Sequence, residues 1–198
     1  MTAEAQGRAE QASIALSHEP VCCARLDSIS YVLLTHERAS VEMQPDKAPV
    51  RTFSTGASYF LAVKLPDGPR SSMIGIRSAL LNGGRGEIPT VFVPSVLALD
   101  ENFREVRASS ELSLRFERGW SHDGVGYFSE LSVNDPAARY LIFFTDQTRL
   151  KQPVPYRSEA GTAGGGVPIT VKVHYELPRS VNGHLDVWLQ SAAPEAQR

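Results

Sequence analysis

The sequence predicts an all-β fold, a β-sandwich or jelly-roll-like domain of about eight short strands with flexible termini. Three observations carry that expectation. Several short segments alternate apolar with polar residues and are rich in β-branched and aromatic side chains, the pattern of a half-buried strand. Gly and Pro clusters separate them. Helix candidates are few. The chain of 198 residues fits one domain; at this length a domain buries roughly 70% of the surface its unfolded form exposes and folds without a metal or a disulfide framework. The reading divides the chain into a flexible tail over 1–20, a single domain over 21–190 and a flexible tail over 191–198.

Met1 to Glu19 is rich in Ala, Glu and Gln and holds a short amphipathic helix candidate around Gln11 to Leu16. It lacks the basic start and long apolar core of a leader peptide. Tyr59, Leu61, Val63 and Leu65 alternate as a strand, and Pro66-Asp67-Gly68-Pro69 turns the chain. Met73 to Ser78 returns, and Asn82-Gly83-Gly84-Arg85-Gly86 is a loop. Thr90 to Asp100 is the strongest strand segment. Its Pro94 has no amide donor, which places it at an edge, a bulge or a switch between sheets.

Leu112, Leu114 and Phe116 alternate as a further strand. Val125 to Val133 and Arg139 to Thr145 are two more, joined through Asn134-Asp135-Pro136. Leu141-Ile142-Phe143-Phe144 is apolar on both faces, as a central strand is. Gln152 to Pro168 holds three prolines and Gly164-Gly165-Gly166 and reads as a mobile loop; no Lys-Ser/Thr follows the glycines, so it is no P-loop. Ile169 to Tyr175 alternates cleanly, and Leu185, Val187 and Leu189 make the last strand. Val96, Leu141, Phe143 and Val171 are expected in one core.

Charge narrows the function classes. Twenty basic against 22 acidic residues give a net charge of -2, unlike the basic footprint of a nucleic-acid binder. No apolar run approaches the roughly 20 residues of a transmembrane helix. The two cysteines, Cys22 and Cys23, are adjacent. Their spacing suits neither a zinc site nor a CxxC redox pair. Three readings stay open: two reduced thiols, a vicinal disulfide, or a bond to a partner protein. Consecutive Cα atoms lie about 3.8 Å apart, below the usual disulfide range of about 4.4–6.8 Å, so a vicinal ring needs an oxidising compartment to keep it.

Four segments stand out together: Val21-Cys22-Cys23 with Leu26; Phe53-Ser54-Thr55-Gly56 leading into Ser58-Tyr59-Phe60-Leu61-Ala62 and Leu65-Pro66; Val91 to Asp100 with Phe103; and Arg139 to Asp146. In their order and spacing they resemble the MalM family, the maltose operon periplasmic proteins. The resemblance runs from about residue 21 to about residue 150. It implies a periplasmic protein associated with maltose or maltodextrin uptake, with no established enzymatic chemistry and no catalytic residues to carry over. The leader of an exported protein is absent from this chain.

The most site-like loop is Gly119-Trp120-Ser121-His122-Asp123-Gly124. It fails the G-x-S-x-G nucleophile pattern. As a ligand site it offers Trp120 as a ring platform for a sugar and Ser121, His122 and Asp123 as a polar rim, with Tyr127 and Tyr156 as secondary platforms. The bland alternative is a polar hairpin loop with Trp120 packed on its base. His18, His36, His122, His174 and His184 form no H-x-x-x-H pair, so no metal or other cofactor is expected. The acidic residues are scattered, with no local motif for the carboxylate pair of a glycosidase. Arg104, Arg107, Arg115 and Arg118 are diluted by Glu105, Glu111 and Glu117.

The sequence therefore points to a non-enzymatic periplasmic protein whose partner is a maltodextrin, another glycan or an uptake component. The alternative is a cell-envelope adaptor docking a protein partner. A β-sandwich glycan hydrolase ranks last.

Overall fold

The computed structural model describes residues 3–67, 72–80, 88–118, 125–162 and 169–190. In chain order the elements are α1 (Ala3–Ser17), β1 (Val32–Leu33), β2 (Ala39–Met43), β3 (Val50–Phe53), β4 (Gly56–Lys64), β5 (Ser72–Ala79), β6 (Pro94–Leu99), β7 (Glu105–Glu111), β8 (Arg115–Arg118), β9 (Val125–Val133), β10 (Tyr140–Thr145), β11 (Val154–Thr162), β12 (Ile169–Leu177) and β13 (Gly183–Leu189). The all-β expectation holds, with more strands than the sequence suggested.

Two sheets face each other. The first runs β1-β4-β10-β6-β7, with β3 also paired to β4; the second runs β2-β13-β5-β9-β8. Neighbouring strands are antiparallel except for β1 beside β4. Alternation decides which side chains enter the space between them. Tyr59, Leu61, Val63, Val96, Ala98, Leu141 and Phe143 of the first sheet meet Met43, Ile74, Ile76, Leu131, Val133, Leu185 and Val187 of the second in one buried cluster. This is the face-to-face packing of a sandwich.

Val96, Leu141 and Phe143 lie in that core as expected. Val171 lies on β12, which pairs with β11 in a separate two-stranded ribbon, and its side chain falls outside the described residues. The ribbon also corrects the loop expected over Gln152 to Pro168. Val154–Thr162 is a strand in full register with Ile169–Leu177. The sequence hides it because Pro155 and the polar run from Arg157 to Gly161 mask the period-2 signal.

Two other segments divide where the sequence suggested continuity. Thr90 to Asp100 breaks before Pro94. Val91 bonds outward to the backbone of Pro178 and Ser180, while β6 begins at Pro94, the first strand position, where a missing N–H is tolerated. Leu112 to Phe116 is not one strand: β7 ends at Glu111 in the first sheet, and β8 begins at Arg115 in the second.

The N-terminal stretch expected as a tail carries α1, which is longer than the Gln11 to Leu16 candidate. Ala, Glu and Gln favour the helix, Glu4 and Arg8 pair one turn apart, and Leu16 is buried against the main core. Residues 191–198 lie outside the described residues. Gly183 meets a tight constraint: a Cβ there would come within 2.2 Å of Phe92 Cβ, so only glycine lets β13 pack against that ring.

Emptying the core should be costly. Leu141→Ala, at a side chain 1% exposed, should lower stability by about 2–5 kcal/mol. A urea midpoint that does not move would place Leu141 outside the core.

Candidate functional site

Trp120, Ser121, His122 and Asp123 lie outside the described residues, in the connection between β8 and β9. The two secondary platforms are buried. Tyr127 is 1% exposed and Tyr156 9% exposed. Both rings pack edge-on against Phe116, with centroids at 5.6 and 4.5 Å. The Tyr127 hydroxyl donates to Pro155 O at 2.9 Å. They belong to a third apolar cluster with Val91, Val93, Val154 and Leu177 at the base of the ribbon. Their strands bring these two tyrosines together as packing, with neither ring open as a platform.

The outer face of the first sheet is unusual. Phe60, Ala62, Leu97, Leu99, Ile142 and Phe144 alternate outward, yet they are buried beneath Ile29 and the partly buried Cys22, Cys23, Leu26, Tyr31, Phe53 and Phe103. Cys22 and Cys23 are joined in a vicinal disulfide, with Cα atoms 3.8 Å apart. Cys22 N donates to Val50 O at 2.8 Å, and the Arg51 guanidinium donates to Cys23 O and Ala24 O. The disulfide segment is thereby fastened to β3.

Phe103 adopts φ +59°, a backbone region that bulky residues avoid. Asp100 Oδ1 holds the turn by accepting from Asn102 N and Arg104 N, both at 2.8 Å. The result lays the Phe103 ring on Tyr140 at 4.7 Å, beside Tyr31. Burial pushes the Tyr31 hydroxyl up to about 12.

The cover leaves a gap over the central strands. An open cavity of about 220 Å³ remains there, walled by Leu26, Arg51, Phe53, Leu97, Glu105 and Phe144. Phe53 and Phe144 stack at 4.0 Å with ring planes 8° apart. Arg51 and Phe53 are two residues apart on β3, which puts both on this face; that spacing is the signal the sequence offered. Glu105 arrives from β7, several strands away, and no local pattern announces it.

The second sheet turns a polar face outward. Asp186 on β13 accepts from Ser40 Oγ at 2.6 Å and Arg77 Nη1 at 2.9 Å, and its Oδ1 lies 2.9 Å from His184 Nε2. Burial pushes the Asp186 carboxyl up, but the hydrogen bonds from Ser40 and Arg77 and the charge of His184 outweigh it and hold the carboxyl below its ordinary value. In a Ser-His-Asp triad the imidazole stands between hydroxyl and carboxylate. Here the carboxylate stands between them, so no base is seated on Ser40. His36 Nδ1 lies 3.0 Å from Leu189 O; His122 and the His174 side chain lie outside the described residues. Among the described residues no group of three His, Cys, Asp or Glu side chains is placed to hold a metal ion.

The family model for maltose operon periplasmic protein precursors (MalM) matches residues 55–176. This chain belongs to the MalM family. No curated protein and no solved structure matches it. The MalM span begins at Thr55, later than the resemblance read from Val21 onward, and runs further, to Glu176. It runs from β4 through β12 as far as Glu176, and leaves outside it the disulfide segment and β13, which lies between β2 and β5 in the second sheet. The MalM description is of a periplasmic precursor, and no helix among the described residues is long and apolar enough to cross a membrane.

Two measurements check this geometry. Free-thiol titration of the unfolded MalM chain, with thiols trapped at lysis, should find fewer than two reactive thiols before reduction and both after it; two free thiols at the outset would exclude the disulfide. Asp186→Ala strands the Arg77 charge, 8% exposed, and should cost about 3–5 kcal/mol at pH 7. Because the folded carboxyl titrates below its unfolded value of about 3.9, its contribution is full above that pH and is lost as pH falls through the folded value. The gap between the urea midpoints of wild type and variant should therefore hold from pH 7 down to about pH 4 and close only below it. A gap that stays constant would show that Asp186 is not held ionised.

Proposed function

We propose that this MalM protein is a non-enzymatic periplasmic component of carbohydrate uptake that binds a linear glucan such as maltodextrin. The observation that supports this reading is the family match, whose description ties the chain to the maltose operon and the periplasm. The chemistry of the described residues is compatible with binding. Among the described residues the partly buried Phe53 lines an open cavity with Arg51 and Glu105, a ring beside polar groups as sugar binding needs, and Ser40, His184 and Asp186 are wired as a structural network.

A second reading has its own support. The ribbon of β11 and β12 is joined by no ladder to either sheet among the described residues, and a two-stranded ribbon offers edges to which a partner strand adds. In this reading the protein is an envelope adaptor, and pull-down from envelope extract with and without the ribbon tests it.

Calorimetry with maltodextrin tests the first reading, and heat of binding is expected at millimolar concentration. The loop at residues 119–124 enters the same experiment. If Trp120 is a ring platform, Trp120→Ala loses affinity with little change in stability; if it caps the core, the variant loses several kcal/mol. No heat and no change in tryptophan emission would discard glucan binding in favour of the adaptor.

A further inference from the structure

We propose that the cavity on the first sheet's outer face takes one pyranose unit of a glucan, its C–H face on Phe53 and its hydroxyls on Arg51 and Glu105. This rests on the glucan-binding reading and names its site.

A pyranose ring presents an apolar C–H face and a rim of hydroxyls, each both donor and acceptor. A site for it needs an exposed flat apolar surface flanked by a donor and an acceptor. Phe53 is the flat surface. One side of its ring is stacked on the buried Phe144, which fixes its plane before a ligand arrives and removes the rotamer entropy that binding would otherwise cost.

Arg51 is the donor. Its backbone is in the β3 ladder with β4, and its guanidinium is anchored on the carbonyls of Cys23 and Ala24. A guanidinium has five N–H donors in a fixed fork, so this anchoring leaves donors for a hydroxyl. Glu105 is the acceptor. It is exposed at the first position of β7, and its carboxylate accepts hydrogen bonds from hydroxyls while repelling an anionic ligand. Thr52 and Ser54 add hydroxyls at the rim.

The volume sets the size of the occupant. About 220 Å³ falls below the roughly 300–1,000 Å³ of pockets that enclose drug-sized ligands. The cavity therefore grips a single ring, with the rest of a longer chain lying outside on the surface.

The experiment is titration calorimetry of the full chain with maltodextrin, alongside tryptophan emission, for wild type, Phe53→Leu and Glu105→Ala. Phe53→Leu keeps an apolar side chain over Phe144 but loses the flat face. Glu105 is exposed, so Glu105→Ala reports on binding with the urea midpoint unchanged. Glu105→Ala should weaken binding about tenfold, the scale of one lost hydrogen bond to a charged group, and Phe53→Leu about three- to tenfold, the scale of a lost aromatic contact. Unchanged affinity in Glu105→Ala overturns this site whatever Phe53→Leu does, and leaves the glucan reading standing on another surface. If tryptophan emission also shifts on binding in that variant, the other surface lies at Trp120 or Trp188, the chain's two tryptophans. No heat with wild-type protein overturns both the site and the reading.

Discussion

The central strands of the first sheet are apolar on both faces, and the rest of the architecture follows from that constraint. In β4, residues Ser58 to Val63 are all buried; in β10, Leu141 to Thr145; in β6, Pro94 to Leu99. A sheet with one wet face alternates; one that does not alternate must be covered twice. The second sheet supplies one cover. The other is irregular chain: the disulfide segment, Leu26, Ile29 and Tyr31, with Phe103 added from the turn before β7. The N-terminal third is therefore part of the fold.

The two outer faces solve opposite problems. On the second sheet, Asp186 pairs across strands with Arg77 and Ser40 and along β13 with His184. Trp188 lies over Gly75, where a Cβ would come within 2.3 Å of the indole, and Arg38 sits 5.0 Å from that ring. Polar pairing and a cation over an aromatic face let this side meet water. On the first sheet the apolar side chains need a lid, and the lid is made from short, unpaired pieces. Each piece is therefore pinned individually: Cys22 by Val50 O, Cys23 by Arg51, Tyr31 by its hydroxyl on Leu26 O at 2.9 Å, and Phe103 by the Asp100 turn. A cover assembled this way ends unevenly, and its edge is where the cavity between Phe53 and Glu105 opens.

The MalM match and the covered face meet at Thr55. The matched span builds the central strands that need covering, while Arg51, Phe53 and the disulfide segment come from chain before it. The candidate sugar site thus straddles that boundary: Leu97, Glu105 and Phe144 lie inside the span, and Leu26, Arg51 and Phe53 precede it.

The sequence by itself determined the all-β class, the main strand positions and the shared core of Val96, Leu141 and Phe143, because side-chain alternation is local and burial selects for it directly. The two-faced burial of Leu141 to Phe144 was legible for the same reason. The tertiary structure decided what local pattern does not encode. It broke Leu112 to Phe116 between sheets, since a chain crossing a sandwich keeps its alternation while changing partners. It made a ribbon of Val154–Thr162, since a ladder of backbone bonds needs no apolar signal. It buried Tyr127 and Tyr156, since an aromatic residue near a loop looks the same in sequence whether its ring faces water or Phe116. It set Glu105 opposite Arg51 across the sheet, since the order of strands in space, unlike the period of residues along them, is fixed only when distant segments pack.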